Sequence, residues 1–153
     1  MEQFDRQKAA RVWQRVQESK PLQKQDRMEN LQELIMNEEL EAAAYRQLAR
    51  QLQPKDGAVL QRLAREEQRH GACLRGMHRL VTEDRYEPHS PQLPKEPPER
   101  TLRRCYGQTL RSLRAYEEKC DDPEYGPVFT WLAAQEREHC AVLLELIGGL
   151  GIK

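Results

Sequence analysis

Two stretches of the chain, "LAREEQRHGACL" at 63–74 and "LAAQEREHCAVL" at 132–143, place Glu67 with His70 and Glu136 with His139 at matching positions. A three-residue spacing puts the carboxylate and the imidazole of each pair on one face of a helix. Those two side chains suit one chemistry: carboxylates bridge or chelate cations, and a neutral imidazole adds a directional nitrogen ligand. Each pair interrupts an otherwise apolar stripe. The first runs Leu60, Leu63, Glu67, His70, Leu74, Met77, Val81, and the second Phe129, Leu132, Glu136, His139, Leu143, Leu146. Polar groups on a core-facing stripe need partners, and two interruptions in the same phase offer the pairs to each other. His70 with Cys73, and His139 with Cys140, also look like soft-metal fragments, but cysteine at such positions reads first as a small packing residue.

The elements that must position these residues are helices. The chain is rich in Ala, Leu, Gln, Glu and Arg at helical apolar spacing, and no stretch alternates at period two. Five of the nine prolines fall within 87–100, which predicts a non-helical connector at 87–98. Pro54 and Gly57 divide the first half, and Pro123, Gly126 and Pro127 the second, predicting helices at 27–53, 57–82, 99–120 and 126–148. A further helix, within 1–20, carries Ala9, Val12, Trp13 and Val16 on one side and is expected to stop before Pro21. The halves repeat upstream as well, with Tyr45 in "AAAYRQLA" answering Tyr116 in "SLRAYEEK". Two related hairpins, 27–82 and 99–148, joined by one crossover make a four-helix bundle. Both Glu-x-x-His stripes then face one interior.

Bulk properties narrow the function. One domain of ordinary size fits 153 residues. With 25 basic against 25 acidic residues, no net field recruits nucleic acid or an anionic membrane. No apolar run reaches the length of a membrane span, and the charged N-terminus lacks an apolar segment, so a cytoplasmic protein is expected. Cys73, Cys105, Cys120 and Cys140 form no Cys-x-x-Cys pair and read as reduced thiols. His78 and His89 have no evident partner and are expected at the surface.

Paired Glu-x-x-His helices, each following a helix whose inward stripe carries Tyr45 or Tyr116, resemble the ferritin-like superfamily and most closely its rubrerythrin-type di-iron branch. The resemblance covers about residues 27–148. It implies an all-α four-helix bundle with one long crossover, here with an additional N-terminal helix, and a metal site in the core. It implies Glu67 and Glu136 as bridging ligands and His70 and His139 as terminal ones. On the first long helix the stripe Leu31, Ile35, Glu38, Ala42, Tyr45, Ala49, Leu52 turns Glu38 inward as a fifth ligand, and Glu39 falls outside it. The implied metal is iron, one or two ions, with manganese as the alternative. Tyr45 and Tyr116 are implied to orient ligand carboxylates.

The third helix departs from that pattern. Its stripe reads Leu102, Tyr106, Thr109, Leu113, Tyr116, Cys120, so Thr109 stands where a carboxylate is due, with Gln108 beside it. Three glutamates bring three negative charges against four for two divalent ions, which predicts a weakened or lost second metal position. Gln108 offers only an amide oxygen, and Glu41, a turn beyond Glu38, is the remaining substitute. Three functions fit: a peroxidase or ferroxidase-type oxidoreductase with an external electron donor, a non-catalytic iron binder, or a helical interaction module with a relic, metal-free polar core. In the last, Trp13 would favour association, including a homodimer.

Overall fold

A computed structural model describes the backbone of residues 6–150 and the side chains of Arg11 and residues 30–150. Four helices follow in order: α1 Arg6–Gln51, α2 Pro54–Thr82, α3 Pro98–Glu117 and α4 Gly126–Leu150. The bundle is all-α, as the periodicity predicts, and no described helix is long and apolar enough to cross a membrane.

The predicted break near Pro21 is corrected. One helix runs from Arg6 through Pro21 into the bundle, so no separate element exists at 1–20 among the described residues. A lone proline removes one backbone hydrogen bond and crowds one turn. Here it is flanked by Lys20 and Leu22 and then by Gln, Lys and Arg, with no glycine or second proline to finish the break. The side chains of Val12, Trp13 and Val16 lie outside the described residues.

Within each half the helices turn back tightly. Leu52 and Gln53 alone separate α1 from α2; Leu52 N–H closes onto Leu48 O at 3.0 Å and Gly57 N–H onto Gln53 O at 2.8 Å. Gly57 is required by this approach, because a Cβ there would stand 2.7 Å from the Ala49 carbonyl oxygen. Gly126 serves the same purpose in the second hairpin, where a Cβ would collide with the Cys120 carbonyl oxygen. Pro54 and Pro98 occupy the first turns of α2 and α3, where no backbone N–H is needed.

The connector then travels the length of the bundle. Tyr86 at its start packs on a core cluster of Leu31, Leu34, Ile35, Leu74, Met77, Phe129 and Leu132. Leu93 near its end packs on a second cluster of Leu48, Leu60, Leu63, Leu102 and Leu143. Glu96 pins the far end, accepting from Arg104 Nε at 2.7 Å and Thr101 Oγ1 at 3.2 Å. His78, expected at the surface, is buried instead. Its ring lies within 3.4 Å of the Gln32 amide and the Thr82 hydroxyl and against Tyr86, so the connector covers what helical phase alone leaves exposed. Between the two apolar clusters sits a polar layer. α1 packs closely on α2, α3 on α4, and α1 on α3, whereas α2 and α4 approach each other least closely of the packed pairs. The room left between them is filled by the glutamates and histidines.

Candidate metal centre

All six polar residues of that layer are buried: Glu38 and Glu41 from α1, Glu67 and His70 from α2, Glu136 and His139 from α4. Glu38, Glu67, His70 and Glu136 each present a ligand atom within 4.8 Å of the others. His70 Nδ1 lies 3.3 Å from Glu136 Oε1, 3.4 Å from Glu67 Oε2 and 3.6 Å from Glu38 Oε2. The His139 ring stacks on the His70 ring with centroids 5.7 Å apart. Its Nδ1 is 2.6 Å from Glu67 Oε1 and 3.8 Å from Glu136 Oε2. Both imidazoles therefore turn Nδ1 to the same carboxylates, as the helical phase of the two motifs requires.

The helix that was expected to contribute no acid contributes donors. Tyr116 on α3 donates its hydroxyl hydrogen to Glu38 Oε1. Ser112 donates to Glu41 Oε1 at 3.0 Å. Thr109 donates to the Cys105 carbonyl oxygen at 2.8 Å, leaving its oxygen to accept from the Tyr45 hydroxyl at 3.0 Å. Tyr45 thus meets Thr109 where Tyr116 meets a glutamate. Gln108 is placed elsewhere: its Oε1 accepts from Arg111 at 2.8 Å on the outer face, so it is removed from the group expected around the site. Glu39 also faces outward, toward Arg75 at 3.4 Å.

Two further acids reach the layer, one of them anticipated in sequence and one not. Glu41 is 1% exposed, so the core holds four glutamates rather than three. Its signal was its place three residues after Glu38, on the same face. Glu66 carried no such signal, because it falls off the α2 stripe, yet its Oε2 lies 2.5 Å from His139 Nε2. The ring nitrogen remote from the cluster is thereby engaged, which fixes the tautomer that leaves Nδ1 free to ligate. Glu66→Ala should loosen that orientation and weaken divalent-ion affinity about 10- to 100-fold with little change in helicity, as read by calorimetric titration and circular dichroism. Unchanged affinity would remove Glu66 from the site.

The electrostatics describe a layer short of positive charge. Burial, with the charges of Glu38 and Glu136, raises Glu67 well above the usual carboxylate range. Burial and the Glu136 and Glu38 charges do the same to Glu41. Burial and the Glu38 charge bring Glu136 to about 7, against the opposing pull of His70. Burial acts on Glu38 too, but the neighbouring Glu67 and His70, the His70 charge and the Tyr116 hydroxyl outweigh it and leave its pKa lowered. Burial would lower His70, yet the carboxylates of Glu136 and Glu38 close to its Nδ1 raise it to about 9. His139 is pushed down by burial and by the His70 charge. A neutral His139 donating to Glu66 and accepting from a protonated Glu67 satisfies both directions.

A metal-free network does not satisfy the layer. Glu38 Oε2, Glu41 Oε2, Glu67 Oε2, both Glu136 oxygens and both His70 ring nitrogens are buried without a hydrogen-bond partner. Five of these seven atoms are carboxylate oxygens, so the shortage is of positive charge at their centre, which a divalent cation supplies. The donor set of carboxylates with imidazoles suits iron or manganese. No curated protein and no solved structure matches the chain. The sequence model of the rubrerythrin family, however, matches residues 29–147, from the middle of α1 almost to the end of α4 and across all six residues of the layer. A repeated Glu-x-x-His hairpin, folded so that its acids crowd a dry core, is thus matched over most of the chain by one family, and the protein belongs to the rubrerythrin family.

Proposed function

We propose that the protein binds divalent metal, iron foremost, in this layer, and reduces peroxide or dioxygen there with electrons from a separate donor. The observation that carries the metal reading is the set of seven buried, unpartnered atoms converging from α1, α2 and α4. A merely structural polar core would pair such atoms, since each one left alone costs about 1–3 kcal/mol. Iron bound there supplies the redox equivalents, two electrons for each peroxide reduced to water with two protons.

The chain's own residues supply the rest. Tyr116 holds Glu38 in place and Glu66 holds His139. Leu132 and Phe129 on one side, and Leu63 and Leu143 on the other, exclude water from the layer. Exclusion strengthens the electrostatic contacts inside it.

Elemental analysis of protein purified without added metal, then anaerobic ferrous titration and peroxide addition, tests the reading. Bound iron whose absorption changes on peroxide addition, with turnover sustained by a chemical reductant, is the expected result. Iron that binds but leaves peroxide untouched would reduce the function to iron binding. A chain that takes up no metal would leave only a polar core.

A further inference from the structure

We infer that α1 supplies two carboxylates to the metal centre, Glu41 replacing the ligand that Thr109 cannot provide, so that the site is complete for two divalent cations. This rests on the metal-binding reading above.

The two hairpins repeat each other, with Tyr45 answering Tyr116, Glu38 answering Thr109, and Glu41 answering Ser112. On α3 the position equivalent to Glu38 carries a hydroxyl that is already spent, donating to Cys105 O and accepting from Tyr45. No acid reaches the layer from α3. The loss is matched on the facing helix: Glu41 is as buried as Glu38, and Ser112, the residue that answers it in the repeat, donates a hydrogen bond to its Oε1. Its other oxygen, Oε2, has no partner. It is buried in the same layer, where the charges of Glu136 and Glu38 act on it. α1 has thus become the acidic strip, Glu38 and Glu41, and α3 the donor strip, Ser112 and Tyr116, that orients both acids. With Glu67 and Glu136 the layer then carries four negative charges and two neutral imidazoles, which balances two divalent ions, where three acids do not.

Glu41→Gln keeps an oxygen to accept from Ser112 and removes only the charge and ligand strength. Metal-free protein titrated anaerobically with Co²⁺, followed by visible absorption and calorimetry, should bind about two ions per chain in the native form. The variant should bind about one, with affinity for that ion within about threefold of native and the same far-ultraviolet circular dichroism. In Glu41→Gln/Thr109→Glu, a carboxylate returned beside Tyr45 should restore the second ion. Native uptake of about one ion, or a Glu41→Gln variant that still binds two, overturns this assignment and leaves metal binding standing. A variant that loses both ions also overturns it, because Glu41 would then belong to no single position. A native chain that binds no Co²⁺ overturns the metal-binding reading itself.

Discussion

Glu136→Met should make the metal-free protein more stable while abolishing its uptake of metal. Both Glu136 oxygens are buried and unpartnered, and the residue sits on an apolar stripe between Leu132 and Leu143. Its nearest positive group is His70, at 3.3 Å, which stays beside Glu38 and Glu67 when Glu136 is gone. Glu38 and Glu67 then still face that imidazole, so the substitution relieves an excess rather than stranding a charge. Replacing a buried charged group by an apolar one of like length, where the pairing is poor, stabilises by about 1–3 kcal/mol. That is a rise of roughly 3–10 °C in the thermal midpoint for a chain of this size. Metal affinity should fall more than about a hundredfold, because a ligand is lost rather than a supporting contact. Scanning calorimetry on metal-free protein and a metal titration read the two effects separately. A metal-free variant less stable than native by 3–5 kcal/mol, the usual effect of breaking a buried pair, would identify the layer as a paired structural network.

The opposed signs of these effects explain what was legible in the sequence. A stripe that breaks its own hydrophobic pattern at Glu67 and His70, and again at Glu136 and His139, announces the layer because folding alone has no use for it. Helical phase likewise turns Glu38, Tyr45 and Tyr116 inward. Phase alone does not decide where two residues compete for one role. Gln108 and Glu41 were both substitutes for the missing acid, and what separates them is an angle: Gln108 lies one position off the α3 stripe and turns out to Arg111, whereas Glu41 lies three residues from Glu38 and turns in to Ser112. Glu66 was illegible for a different reason. It reaches His139 from the edge of the stripe, across the gap between α2 and α4, and no spacing along one helix reports a contact between two. Pro21 and His78 show the limit of local rules: the helical flanks carry α1 through the proline, and the connector's Tyr86 covers the histidine.

Metal should stabilise the protein steeply more at high pH than at low, whereas the metal-free protein should lose stability over the same range. In the metal-free fold Glu41 and Glu67 hold their protons well above the usual carboxylate range, Glu136 to about 7 and His70 to about 9. A group that binds its proton more tightly folded than unfolded contributes stability below its unfolded pKa and loses it as pH rises through its folded one. The contributions of the three glutamates are therefore complete below about 4.5 and that of His70 below about 6.5, and they fade by about 7 for Glu136 and about 9 for His70. Glu38, with its pKa lowered, has the opposite sign, but it acts only below the ordinary carboxylate range. Metal reverses the sum, because it binds ionised carboxylates and neutral imidazole and so releases the retained protons. Each proton released strengthens binding about tenfold per pH unit. At a free metal concentration a thousandfold above Kd the gain is about 4 kcal/mol, or roughly 8–16 °C; near pH 5.5 protons compete and most of that gain should vanish. Thermal midpoints with and without metal from about pH 5.5 to 8, and heats of binding in buffers of different ionisation enthalpy, measure both. A metal increment constant across that range, or binding without proton release, would mean that these carboxyls and His70 are not where the ion sits.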